Sequence, residues 1–397
     1  MGNDTLFNYT TTLDMANDSF DGNYVNEDVA VISRAMILAA LYPGRFSVPI
    51  NGYMSPILIL ITVVTNTFVI AVLLKTHMRT PTNALLAGMA LTDMLTGVFP
   101  LPIFLYFFAM GNSVDPLPYN WCYSYKYLFE NIPTIFHTAS IWLTVGLAAQ
   151  RYVYICHSIQ ARTWCTIPNV IRATLIVYAV AILSQVSRFV DFSFDPIPVT
   201  SKMHPNISYV GCVEMPKPWF SENMDLYLNI YYWFRVIFIH LVPCISLVVL
   251  NGLLISAMRN AQLRRMQLLK QNKKSESKKL KDSNCTTLML VAVVGLFLLV
   301  EFPLGIIMTI YIADNTFQLT LFKPETYSVM TLVSNFFILV SYPLNFVVYC
   351  AMSRQFRETF KRLFTGGQSL EERECSQYMT VPTENGRTIF TGPETAL

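Results

Sequence analysis

Charge is what this sequence has least of. Only 13% of its 397 residues are Asp, Glu, Lys or Arg, against 53% hydrophobic. Soluble domains carry roughly 25% charged residues, so an ordinary water-soluble chain is excluded. The net charge of +3 is too small to argue for nucleic acid as a partner. The five histidines, His77, His137, His157, His204 and His240, form no HExxH pair, so no metallohydrolase set is present and no enzyme is expected. There is no internal repeat of the kind that builds secondary transporters. No cleavable signal peptide is visible, because the first apolar run begins only near residue 29. "MGNDTL" also lacks the Ser or Thr that myristoylation requires at the position of Leu6.

What the chain does have is long apolar runs. Seven stretches, 53–75, 82–108, 127–150, 170–190, 228–257, 286–312 and 328–350, are each long enough for a bilayer, which takes about 20 residues. Inside lipid every backbone polar group must be satisfied within its own segment. The expected fold is therefore an all-α membrane protein, a seven-transmembrane helix bundle. The prolines at 100, 102, 133, 243, 303 and 343 should kink these helices rather than end them.

Basic residues set the orientation. They follow span one (Lys75, Arg79) and span three (Arg151, Arg162), crowd the loop after span five (Arg259 to Lys281), and open the tail (Arg354, Arg357, Lys361, Arg362). The other side starts acidic, with Asp4, Asp14, Asp18, Asp21, Glu27 and Asp28. This places a multi-pass chain in the plasma membrane with its N-terminus outside. Glycosylation signals at Asn3, Asn8, Asn17 and Asn206 all fall on that outer face, whereas Asn284 falls inside. Of eight cysteines, Cys122 and Cys212 lie outside, where oxidation is favoured, so one disulfide between them is expected. The expected organisation is an extracellular glycosylated tail (1–50), the bundle (51–352), an amphipathic helix (353–365) and a disordered cytoplasmic tail (366–397). Residues 259–282 read as a charged helical extension and loop.

Polar groups inside a membrane are costly, so each is a functional candidate. Asn66, Asp93, Ser140 and Asn345 lie at similar depth and could gather waters or a small cation, sodium in the simplest case, around the Asp93 carboxylate. These residues, with Arg151-Tyr152 ending span three, "NFVVY" closing span seven at Tyr349, Pro243, and Phe297 six residues before Pro303, resemble the rhodopsin-like G-protein-coupled receptors. The likeness covers roughly residues 50–365. "HTASIWLTVGLAAQRYVYICHS" and "SYPLNFVVYC" further resemble invertebrate neuropeptide receptors of the sex-peptide/myoinhibitory-peptide and FMRFamide types.

The resemblance implies that Arg151, with Tyr152 and Tyr349, meets a heterotrimeric G protein, of the inhibitory class, and that 353–364 lies on membrane lipid. Several positions depart from the family pattern. Gln150 replaces the acid that restrains the arginine at rest, leaving Asp282 as a substitute. Glu301 stands where a tryptophan usually serves as a switch. Phe346, Asn251 and Met89 replace a proline, a tyrosine and a leucine, and span four lacks its tryptophan. Cys122 lies 29 residues before Arg151, about a turn further than usual.

The ligand class narrows by elimination. Span seven contains no lysine for a retinal Schiff base. Pro133 holds the place of the acid used by amine receptors, and 131–150 contains no Asp or Glu. An extracellular neuropeptide is the expected ligand; the alternatives are a non-peptide ligand of the same receptor class or a multi-pass transporter. Expected contacts are His137, Arg235, Glu301, Tyr231, Tyr311 and Asn335. A carboxylate at the depth of Glu301 needs a partner, and the fold implies His137, with Arg235 next. Finally, Thr395 and Leu397 in "ETAL" match the pattern that PDZ domains bind by strand addition.

Overall fold

The structure, a computed structural model, describes residues 35–271 and 274–364. Six of its helices are long and apolar enough to cross a membrane: α1 (Gly44–Leu73), α2 (Pro81–Ala109), α3 (Tyr119–Cys156), α5 (Met224–Leu263), α6 (Thr287–Phe317) and α7 (Pro324–Met352). Between them lies the shorter α4 (Ile167–Leu183). The helix of α5 runs on to Lys270, and that of α6 begins at Lys274. Neighbours pack α1–α2, α2–α3, α3–α5, α5–α6, α6–α7 and α7–α1, and α3 also touches α4 and α6. Helix α3 is thus the central post of the bundle.

The structure accommodates several of these prolines by a specific route, while at Phe99–Pro100 a turn interrupts the helix. Proline lacks an N–H and its ring crowds the carbonyl four residues back. A wider turn, bonded five residues apart, relieves that crowding. Such π-helical turns lie directly before Pro133 (Lys126–Asn131) and Pro243 (Val236–Leu241), and around Pro49 up to Pro56 (Val48–Met54). Pro303 and Pro343 stay inside continuous helices.

Helix α4 corrects the expected span 170–190. It has 17 residues and stops at Leu183, about 26 Å at 1.5 Å per residue, less than the ~30 Å hydrocarbon core. Where the chain leaves the helical path, Gln185 takes a tertiary partner and Arg188 a local one. Tyr231 Oη donates to Gln185 Oε1 (3.0 Å), and Arg188 pairs with Asp191 after a 3₁₀ turn, Val186–Phe189.

One end of the bundle is closed by an antiparallel hairpin, β1 (Phe192–Thr200) and β2 (Ser208–Pro216), with Pro196 opposite Cys212. The expected disulfide joins Cys122 of α3 to Cys212 of β2, with Cα atoms 6.6 Å apart. Asp115, in the α2–α3 loop, ties the far end of the hairpin. Its carboxylate accepts from Ser201 Oγ (2.7 Å) and from the N–H groups of Lys202 (2.6 Å) and Met203 (3.0 Å). The expected boundary at residue 50 also shifts. Met36 N–H donates to Cys212 O (3.2 Å), Leu117 N–H donates to Met36 O (2.8 Å), and Leu38 and Tyr42 are buried beside Phe104, Phe108 and Phe129. Residues 35–42 therefore belong to the packed hairpin end rather than to a free tail. Gly52 lets α1 approach α2 closely: a Cβ there would meet the Phe108 backbone at 3.0 Å.

Helix α8 (Arg354–Phe364) falls in a compact unit separate from the bundle. Phe356, Phe360 and Phe364 repeat every four residues along one face, with ring centroids 6.5 and 4.9 Å apart. Arg354 pairs with Glu358. Apolar residues on one stripe and cations elsewhere are the amphipathic pattern expected of it.

Candidate functional site

Midway along the bundle, helix spacing aims three polar residues at one point. Ser140 Oγ donates to Asp93 Oδ1 (2.7 Å), and Asn345 Nδ2 donates to Asp93 Oδ2 (3.3 Å). Asn66 is buried nearby in sequence expectation, yet its Nδ2 has no hydrogen-bond partner and it does not bond Asp93. Asp93, Ser140 and Asn345 line one small cavity whose wall also includes Thr144, Phe297, Glu301, Ser341 and Tyr342.

Glu301 is 1% exposed. His137 Nε2 of α3 lies 3.3 Å from its Oε1, and His240 Nδ1 of α5 lies 3.9 Å from its Oε2. These are ion-pair distances without hydrogen-bond alignment, and neither carboxylate oxygen receives a hydrogen bond. The other nitrogen of His137 lies 3.3 Å from Tyr342 Oη of α7. The expected neighbour His137 is in place. Arg235 is not: among the described residues it forms no ion pair with Glu301, and His240 occupies that position. The sequence signal was available, since His240 is the other histidine within a spanning helix, but only packing shows which way it faces.

Arg235 instead lines a second small cavity, between α5 and α6 toward the hairpin end. Its wall is Tyr232, Val236, Met308, Tyr311 and Ile312, with His240 at its inner edge. Of the expected ligand contacts, Arg235 and Tyr311 therefore share one cavity, while His137 and Glu301 sit one layer deeper. Tyr231 points elsewhere, to Gln185 and to the Arg188 guanidinium 5.3 Å from its ring. Asn335 is half-buried on α7 and lines neither cavity.

A third polar cluster went unread in the sequence. Lys126 Nζ of α3 donates to Glu214 Oε1 of β2 (2.6 Å) and lies 3.4 Å from Glu130 Oε2. Arg188 pairs with Asp191 in the same neighbourhood, with its guanidinium 5.7 Å from the Phe192 ring, while Lys126 Nζ lies 4.9 Å from that ring. All five charged side chains are buried. Lys126 is one helical turn after Cys122 and Glu214 two residues after Cys212, so the ion pair doubles the disulfide as a clasp on the hairpin.

At the opposite end, Arg151 closes the spanning part of α3. Among the described residues it has no ion pair; its guanidinium lies 5.8 Å from the Tyr154 ring, and both polar atoms of buried Gln150 lack partners. Tyr152 packs edge-on to His157, 5.8 Å away, and Tyr349 is buried. Asn206 is exposed in the turn between β1 and β2. In the α2–α3 loop, burial alone would raise the Asp115 pKa. Its bonds from Ser201, Met203 and Lys202 outweigh this and hold the carboxyl below its ordinary value of 3.8. Asn3, Asn8, Asn17, Thr395, Leu397 and the side chain of Asp282 lie outside the described residues.

With this geometry in place, comparison with known proteins narrows the field. Residues 53–367 match the family model described as serpentine type 7TM GPCR chemoreceptor Srw. The chain is 42% identical over 358 residues to the sex peptide receptor of Drosophila melanogaster, covering 89% of this chain and 81% of that protein. It is 39% identical over 331 residues to the sex peptide receptor-related protein 2 of Caenorhabditis elegans, covering 82% and 73%. With the FMRFamide receptor of Drosophila melanogaster the identity is 24% over 324 residues, covering 79% and 54%.

Proposed function

Since the chain belongs to the serpentine seven-transmembrane G-protein-coupled receptors, we propose that it takes a neuropeptide at its hairpin end and passes the event to a heterotrimeric G protein. The observation that carries this reading is the cavity between α5 and α6. It combines aromatic and aliphatic walls with the cation of Arg235 and the ring of His240, the mixture of apolar surface and a few placed polar groups that ligand sites show. His240 lines its inner edge and lies 3.9 Å from Glu301, one layer deeper, which His137 also approaches; this set is a polar replacement for the tryptophan switch of the family. A ligand group that binds Arg235 or His240 competes with the contacts holding Glu301.

The N-terminus lies outside and the basic ends of α3, α5 and α6 inside, on the charge distribution already described. Arg151 receives the C-terminal helix of the G protein, supported by Tyr152 and Tyr349. With no acid at position 150, it can move without breaking a local ion pair. An inhibitory G protein is the class the resemblance favours. Helix α8 lies on the lipid surface, the terminal "ETAL" offers a PDZ ligand, and the Asp93 cluster holds a small cation. The test of the central claim is nucleotide exchange on G proteins in membranes carrying this chain, challenged with a panel of amidated neuropeptides. Exchange driven by one peptide class, and lost in Arg151→Ala, is the expected result. No exchange with any peptide, alongside a response to a small non-peptide molecule, would overturn the ligand class.

A further inference from the structure

The turn between α6 and α7 exposes four large apolar side chains within six residues: Phe317 (65%), Leu319 (50%), Leu321 (54%) and Phe322 (47%). No charged residue stands between Asp314 and Lys323 to keep them soluble. A run of exposed apolar side chains of this kind marks an interaction surface. Lipid is not what covers it. Helix α6 spans 31 residues from Thr287 to Phe317, about 46 Å at 1.5 Å per residue, against a hydrocarbon core of ~30 Å. Lys279, Lys281 and Asp282 precede Thr287 in the sequence and keep that end out of the core, so Phe317 stands beyond the core at the other end.

The shape of the turn is imposed. Gln318 and Thr320 have φ angles of 54° and 53°, in the left-handed region that non-glycine residues enter at a cost and keep only where their surroundings over-determine it. Asp314, buried near the end of α6, supplies that constraint. Its Oδ1 accepts from the Leu321 N–H (2.9 Å), its Oδ2 from Tyr327 Oη (2.9 Å), and its backbone carbonyl from the Leu319 N–H (3.1 Å). Both exposed leucines are thus tied to one residue. The Tyr327 ring fixed in this way stands between two others, with the Phe322 centroid 5.7 Å away and the Tyr311 centroid 4.8 Å away. Tyr311 lines the cavity that Arg235 also lines. A series of edge-to-face aromatic contacts therefore leads from the exposed turn to that cavity.

We propose that this turn is a docking lip for apolar side chains of the peptide, with Asp314 as the positioning residue that sets both the lip and Tyr311. The inference rests on the reading of the α5–α6 cavity as the ligand site and adds a second, surface contact for another part of the same peptide. The cavity takes a polar group at Arg235, and the lip takes the apolar side chains that flank it. Asp314 acts through the backbone of the turn and through the Tyr327 ring.

The test uses full-length protein in lipid nanodiscs with the amidated peptide that drives exchange in the panel above. Leu319→Ser combined with Leu321→Ser should weaken peptide affinity about tenfold, since burying a single leucine is worth that much or more. Maximal exchange should stay at the wild-type level. Asp314→Asn and Tyr327→Phe should each weaken affinity several-fold, and together no more than the larger of the two. In a Tyr311→Ala background, Tyr327→Phe should have no further effect. Unchanged affinity in the leucine double variant, with exchange intact, would overturn the lip and leave the receptor reading standing. Lost exchange at unchanged affinity would also overturn it, by assigning the turn to helix movement. A second arm needs no peptide: a bimane label on Leu319→Cys, corrected for the unsubstituted protein, should be quenched by aqueous iodide and not by spin-labelled lipid. Quenching by the lipid would put the turn in the bilayer and overturn the lip, whatever the fate of the receptor reading.

Discussion

The hairpin end and the mid-membrane layer both bury several ionisable side chains, and they treat them in opposite ways. At the hairpin end, each of Glu130, Glu214 and Asp191 has a permanent cation, Lys126 or Arg188, at ion-pair distance. In the middle, Asp93 has only neutral donors, and Glu301 has only histidines, whose charge depends on a proton. Fixed ion pairs inside protein resist rearrangement, because breaking one leaves an uncompensated buried charge. Carboxylates held by neutral or switchable partners can change partner at small cost. The first region is a clasp, and the second is free to rearrange.

That contrast is broken hardest at Lys126. Lys126→Ala strands Glu130 and Glu214, a loss of about 3–5 kcal/mol for one partner of a buried pair. Surface expression should collapse, while Lys126→Met combined with Glu214→Gln should recover much of it. Equal loss in both would mean the position matters for packing alone. The disulfide comes next. It closes a separation of 90 residues, and removing a native disulfide typically costs about 2–5 kcal/mol. Cys212→Ser should lower surface peptide binding sharply, with residual binding that depends on Lys126; normal binding would show that the hairpin needs no covalent tether.

The mid-membrane layer should show a smaller but coupled effect. Glu301→Gln, His137→Ala and the double mutant, read by agonist affinity and basal exchange, should deviate from additivity by more than roughly 0.5 kcal/mol. Strict additivity would mean the 3.3 Å approach carries no energy. The smallest effect belongs to Asp115, at the exposed end of the hairpin. Its folded pKa lies below its ordinary value, so its stabilisation is complete above the ordinary value of 3.8 and drains away as pH falls through the lower folded one. Asp115→Asn should therefore lower the unfolding midpoint slightly and by a constant amount from pH 8 to pH 5, and the gap should close only in stronger acid. A gap that closes near neutral pH would assign the effect to another group.

Much of this was legible in the chain. Apolar runs marked the helices because lipid leaves the backbone no alternative to internal hydrogen bonds. Cys122 and Cys212 could be paired because the expected topology put both on the oxidising side. Asp93, Ser140 and Asn345 stood out as polar residues at matching depth, and the structure joins all three. Lys126 and Glu130 were visible only as an ordinary i,i+4 pair at a helix start, with nothing to mark Glu214, 88 residues away, as their third member. Arg188 was hidden inside a run that looked like the end of a span.

The sequence by itself determined the solvent, the number and type of spanning elements, and the residues too polar to be there without a reason. These follow from composition and from short-range periodicity, which act through each segment alone. Which polar residues meet was decided only by tertiary structure. His240 rather than Arg235 faces Glu301, Asn66 stays out of the Asp93 hydrogen bonds, and Glu301 shares a cavity with Asp93. Rotation of each helix about its axis is set by packing against its neighbours, and a turn of a few tens of degrees exchanges one buried partner for another.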